Sequence, residues 1–185
     1  MIEFPIFSMM AFILTVAGGV YLIRKDYLTK KDTFSIVIFA VYMALLVKVA
    51  FFPIPYQKAT IDVLREVGSG YAYNFIPLSS IINIVANNSI QTALVQVGGN
   101  FLLLMPLGFY GALIFPQKKI QQLLVVILSF SLTIEIIQFI LGMIIAYQYR
   151  VVDVDDVILN LLGGIVGIGL GKLFSPLYNR ILQKP

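Results

Sequence analysis

The chain has 185 residues, of which 59% are hydrophobic and 12% charged, and its mean hydropathy is +0.94. A soluble domain carries about a quarter charged residues, so these values exclude an ordinary soluble globule and a disordered chain, and imply an all-α polytopic membrane protein. The net charge is +4, and there is no Cys and no His, which excludes a disulfide framework, a thiol nucleophile and the commonest general base and transition-metal ligand.

A spanning helix needs roughly 20 apolar residues. The first apolar run, residues 4–23, is followed by Arg24, Lys25, Lys30 and Lys31. A secretory signal places its positive charges before the apolar run, so this run reads as a retained span. The second, 33–52, is closed by Pro53. Residues 54–99 do not read as a span. The string Ser79, Ser80, Asn83, Asn87, Asn88, Ser89 and Gln91 is too polar to face lipid and predicts an external amphipathic or re-entrant segment, anchored at the interface by Tyr71, Tyr73 and Phe75. The third span, 100–115, opens after Gly98-Gly99 and should kink at Pro106. The fourth covers 120–143 and the fifth 157–174, ended by Ser175 and Pro176. The expectation is about five transmembrane helices in a single domain, 1–185.

Charge asymmetry orients these spans. With the N-terminus outside, nine basic residues lie inside (Arg24, Lys25, Lys30, Lys31, Lys118, Lys119, Lys172, Arg180 and Lys184), against Lys58, Arg65 and Arg150 outside and Lys48 within a span. A sixth span over 77–97 would leave five inside and seven outside. The chain therefore reads as multi-pass, with an external N-terminus and a cytoplasmic C-terminus.

Polar residues in such spans carry information because each costs free energy in lipid, about 2.5 kcal/mol or more for a carboxylate. In the fourth span Ser131, Glu135 and Gln138 share one helix face. At the start of the fifth, Asp153, Asp156 and Asn160 share another, and Asp155 falls about 160° away from it. Below the acids that face continues as Gly163, Gly167 and Gly171, where another helix can approach closely. Asn74, Asn100, Glu135, Gln138, Arg150, Asp153, Asp156 and Asn160 all fall at the external side, which predicts one polar site there, lined by the last three spans. Plainer readings stand beside it: the aspartates as a solvated helix cap, Arg150–Asp153 as an interface ion pair, Ser131 bonding its own helix, and the glycines as packing.

The order Asn74-Phe-Ile-Pro77, Gly99-Asn100-Phe-Leu-Leu-Leu-Met105-Pro106-Leu-Gly108, Glu135-x-x-Gln138 and Arg150-x-x-Asp153-x-x-Asp156-x-x-x-Asn160-x-x-Gly163 resembles the VanZ-like family over about Asn74 to Leu170. That resemblance implies a plasma-membrane protein of Gram-positive bacteria that lowers susceptibility to teicoplanin and lipoglycopeptides. The leading expectation is a non-enzymatic groove binding a lipid-linked cell-wall precursor headgroup or the lipid-anchored drug. Arg150 would meet a phosphate or carboxylate, the amides Asn74, Asn100, Gln138 and Asn160 would hydrogen-bond, and Asp153, Asp156 and Glu135 would hold Arg150 and an amine or sugar hydroxyls. Membrane lipid is the expected surrounding partner, and nucleic acid is not expected. No cofactor is required, but Glu135, Asp153 and Asp156 are hard oxygen ligands, and the rival reading is a membrane enzyme using them with a divalent cation. A third is an assembly protein that pairs with a partner helix through Gly163, Gly167 and Gly171.

Overall fold

The structure, a computed structural model, describes residues 5–27, 32–55, 57–67, 73–147 and 149–183. They form two compact units, residues 1–58 with 179–185, and residues 59–178. Tyr71, one of the expected interface anchors, lies outside the described residues, as do Lys30, Lys31 and Lys184.

The first unit is a helical hairpin of α1 (Pro5–Arg24) and α2 (Thr33–Phe51). Gly19 lies against Ile36 near the connecting turn, and the Phe7 and Phe52 rings meet at 5.7 Å at the open end, so the helices run antiparallel.

The second unit holds α3 (Lys58–Val67, apart from its first residue), strand β1 (Tyr73–Asn74), α4 (Ser79–Asn87), the third span, α8 (Ile120–Ile145), strand β2 (Val152–Asp153) and most of α9 (Val154–Gln183). The third span is built from α5 (Ile90–Ala93), a π-turn over Leu94–Gly98, α6 (Gly99–Leu103) and α7 (Met105–Ile114). Four helices are long and apolar enough to cross a membrane, Thr33–Phe51, Ile90–Ile114, Ile120–Ile145 and Val154–Arg180, and α1 carries a shorter apolar stretch, Met9–Arg24. The shortest of the four, with 19 residues, rises about 28 Å at 1.5 Å per residue, close to the hydrocarbon thickness. The protein is thus an all-α membrane protein with about five apolar helices.

Two span boundaries differ from the sequence reading. The third span begins at Ile90, not at 100. Ser89 restarts the helix by accepting the Thr92 N–H at 3.2 Å, and Gly98-Gly99 continue it with right-handed helical backbone. Pro106 does interrupt the helix. Leu104 leaves helical geometry at φ −103° and ψ 3°, and Pro106 sits in the first turn of α7, where its missing N–H costs nothing. The segment between the second and third spans is correspondingly shorter than 54–99. The fifth span runs on past 174, with Pro176 inside α9. Proline cannot donate to the Lys172 carbonyl, and the Ser175 hydroxyl does so instead at 3.1 Å.

The glycine face of α9 is filled from within the chain. A Cβ on Gly163 would strike the Phe101 carbonyl, one on Gly167 the Met105 carbonyl, and one on Gly171 the Phe109 carbonyl. The constant spacing of these pairs means that the third and fifth spans run in the same direction. An outside helix using these glycines would have to displace the third span. From the other side Gly108 abuts the Gly164 carbonyl, and Gly164 is covered by Ile127 of α8.

Gly167→Ala is expected to lower the thermal unfolding midpoint of the purified protein clearly, because the new methyl meets backbone that cannot rotate away; overpacking costs about 1–3 kcal/mol or more. Gly169→Ala, whose Cβ would meet nothing within 4 Å, should leave the midpoint unchanged or raise it slightly.

Candidate functional site

The chain reaches the site through a two-residue parallel pairing of β1 and β2, Tyr73 with Val152 and Asn74 with Asp153. Aromatic contacts hold β1: Tyr73 stacks on Phe75 at 6.3 Å and meets Phe139 of α8 at 5.9 Å. Asn74 then organises the turn. Its Oδ1 accepts the Ile76 N–H at 3.1 Å, and its Nδ2 donates to Asp153 Oδ1 at 2.7 Å and to the Ser80 hydroxyl at 2.9 Å.

Asp153 caps α9, accepting the Asp155 N–H at 2.8 Å. Its own N–H donates to Glu135 Oε2 at 3.0 Å, which ties α8 to the start of α9. One turn into α9, Asn100 of the third span donates to Asp156. A further turn in, Asn160 Nδ2 donates to the Ser131 hydroxyl at 3.1 Å, and both residues are fully buried.

These pairs fix an antiparallel register between α8 and α9. Ser131 faces Asn160, and one turn further along α8 Glu135 reaches the Asp153 N–H at the start of α9. Ser131, Glu135 and Gln138 are all buried, as their shared face predicts. Ser131 faces Asn160, whereas its neighbours Ser129 and Thr133 bond the Val125 and Ser129 carbonyls of their own helix. Arg150 stands half-buried at the rim, within electrostatic reach of Asp156. Beside it, burial pushes the Tyr149 phenol above its usual range and Arg150 opposes that, so the hydroxyl stays a neutral donor.

Asp155 turns away from Asp156, as the helical-face argument expects, and its side chain is buried, 1% exposed. Its carboxylate accepts the backbone N–H groups of Leu78 at 2.5 Å, Ser80 at 2.9 Å and Ile81 at 3.2 Å. Those are the free donors at the start of α4. The N-cap position of α4 is held by Leu78, with φ 66° and no capping side chain. Asp155 supplies the cap from another part of the chain. The signal was readable: a short helix starting at Pro77-Leu78 has no Ser, Thr, Asp or Asn at its N-cap and must import an acceptor. Ser80, read from the sequence only as part of a polar string, also joins the network through Asn74.

Six of the eight expected site residues, Asn74, Asn100, Glu135, Asp153, Asp156 and Asn160, thus take part in hydrogen bonds among the last three helices and β1. Each acid has a distinct donor set, and among the described residues no group of three or more acid side chains is arranged to hold a metal ion. What the fold and site define is a polytopic helical membrane protein whose third, fourth and fifth spans enclose a polar acid–amide network at one end. The chain belongs to the VanZ/LLP1 family, whose model matches residues 39–175. The match reaches back into α2, where the sequence offered only hydropathy. No curated protein and no solved structure matches the chain.

Asp155→Asn should release α4. An amide has one acceptor oxygen where the carboxylate has two, and leaving buried N–H groups unmatched costs about 1–3 kcal/mol. Hydrogen exchange at the Ser80 and Ile81 amides should accelerate about tenfold or more. Asp62→Asn, which breaks only the exposed 3.6 Å pair with Arg65, should leave both amides unchanged.

Proposed function

We propose that this protein acts at the external face of a bacterial plasma membrane, where the network around Glu135, Asp153 and Asp156 binds the headgroup of a lipid-linked cell-wall precursor or of a membrane-anchored lipoglycopeptide. Binding there lowers the drug's action without a chemical step. Family membership supports the setting. The single observation that carries the site is the convergence of Asn74, Asn100, Glu135, Asp153, Asp156 and Asn160 at one end of three spans that are otherwise apolar.

The residues have separate tasks in this reading. Asp153 and Asn74 are structural, holding the β1–β2 crossing and the cap of α9. Glu135 and Asp156 each use one carboxylate oxygen on a protein donor. In this reading the second oxygen of each is the acceptor offered to a ligand. Arg150 at the rim suits a phosphate or carboxylate on the same headgroup. In this reading the headgroup enters the site and the ligand's lipid tail remains in the bilayer.

Orientation is tested by cysteine labelling in intact cells. With the N-terminus outside, an impermeant thiol reagent should label a cysteine placed at Lys58 and spare one placed at Lys25. The reverse pattern would put the site on the cytoplasmic face and end this proposal.

Function is tested by lipoglycopeptide susceptibility at matched membrane levels. Glu135→Gln and Asp156→Asn preserve size and should each raise susceptibility several-fold. Removing one member of a desolvated polar pair costs about 3–5 kcal/mol, so accumulation in the membrane is measured alongside. Full resistance in both variants would leave the assembly role as the better account.

A further inference from the structure

Between Glu66 and Lys118 the chain contains no Asp, Glu, Lys or Arg. Within that stretch the turn from β1 into α4 is apolar and uncovered. Phe75 and Ile76 are 74% and 69% exposed, and Leu78 is exposed beside them. Helix α4 has no buried residue, and its positions divide into three faces. Ser80, Ile81 and Ile84 are half-buried. Ser79, Asn83 and Asn87 form an exposed polar face, on which Asn87 donates to Asn83 at 2.6 Å. Leu78, Ile82 and Val85 form an exposed apolar stripe at helical spacing.

The donors of this turn are all met from within the chain. Ile76 donates its N–H to Asn74 Oδ1, Ser79 to the Ile76 carbonyl, and Ile82 to the Leu78 carbonyl. Leu78, Ser80 and Ile81 donate to Asp155. Pro77 has no N–H to satisfy. Every backbone N–H from 76 to 82 thus has an acceptor without water. A turn in water needs no such completeness, because solvent serves any donor left over; a turn in hydrocarbon does.

The register sets its depth. β1 is parallel to β2, and β2 leads straight into α9, so the chain runs in the direction of α9 before it turns at Pro77-Leu78. Tyr73 meets Phe139, which lies about 9 Å short of the Ile145 end of α8. At the far end Lys172 reaches the Lys118 carbonyl at 3.4 Å, and such cations belong at the headgroups. Asp155 stands about 25 Å from Lys172 along α9, and the hydrocarbon layer is about 30 Å thick, so the turn that Asp155 caps falls inside that layer, near its edge.

We infer that residues 75–85 form a shallow re-entrant turn whose apolar edge, Phe75, Ile76, Leu78, Ile82 and Val85, is covered by lipid acyl chains just below the headgroups. The Asn83–Asn87 face of α4 meets headgroups and water, as in an interfacial helix. The occupant of the apolar edge is the bilayer, because the exposed apolar surface continues at Ile90 and Leu94, one turn apart on a helix long enough to cross the membrane.

The chain has no Trp, so a single introduced Trp senses its own surroundings. Phe75→Trp and Ile82→Trp probe the apolar edge, and Asn87→Trp the polar face. Each full-length variant is reconstituted into phosphatidylcholine vesicles, and its emission is quenched either by lipid brominated near the headgroup end of the acyl chains or by aqueous iodide. Phe75→Trp and Ile82→Trp should emit further to the blue than Asn87→Trp, lose several-fold more emission to bromolipid, and resist iodide. Asn87→Trp should yield to iodide. Quenching of both edge positions by iodide alone would place the turn in water, and quenching by neither agent would mean that protein covers it; each result overturns the inference, as would equal bromolipid quenching at all three positions. Two edge positions keep the test decisive if one variant does not accumulate. Bromolipid in both leaflets makes the result independent of which membrane face carries the site, and no drug is present, so failure here leaves the headgroup site untouched.

Discussion

The close approach of two backbones organises the second unit. Phe101, Met105 and Phe109 present carbonyl oxygens to Gly163, Gly167 and Gly171, with no room for a methyl group between. In lipid, helices gain nothing from hiding apolar surface from each other, so tight van der Waals contact of this kind carries association. It also fixes register, since a glycine stripe and a row of carbonyls mesh only at particular offsets. Once they mesh, Asn100 arrives beside Asp156. Gly164 against Ile127 sets the other side of α9 in the same way, and Ser131 arrives beside Asn160 and Glu135 beside the Asp153 amide. The polar end is thus a consequence of the apolar packing beneath it.

The four carboxylates would repel one another strongly if they shared one space. The fold divides them among tasks. Asp153 caps its own helix through Oδ1, Asp155 caps a different helix with both oxygens, and Glu135 and Asp156 each bond one protein donor. Both caps place negative charge at the positive end of a helix macrodipole, which offsets part of the cost of burial. The acidic string of the sequence therefore contains two scaffolding residues and one that faces the site.

Hydropathy was enough to read the class of fold, since long apolar runs have few other uses. The shared faces of Ser131, Glu135 and Gln138, and of Asp156 and Asn160, were legible because helical periodicity alone decides them. The boundary of the third span was not, because Gly98-Gly99 looks like a break. Only tertiary context shows it as a π-turn within a continuous helix. The task of Asp155 was not legible for a related reason. A helical wheel says which residues turn away from a face, but not what waits on the far side, and here it is the uncapped start of α4. The fifth span outlasted its proline because Ser175 repairs the missing bond, a compensation that propensity does not foresee.

The cap on α4 has a consequence for how the protein is made. Leu78 and Asp155 are 77 residues apart. At a synthesis rate of about 5–20 residues per second, roughly 4–15 s separate the emergence of the donors from that of their acceptor. During that interval the start of α4 has no cap, and Asn74 lacks Asp153. The 74–81 segment therefore cannot reach its final bonding until the start of α9 has been made. Assembly of the site thus waits on the start of the last helix, so a chain stalled before residue 153 lacks both the cap of α4 and the partner of Asn74.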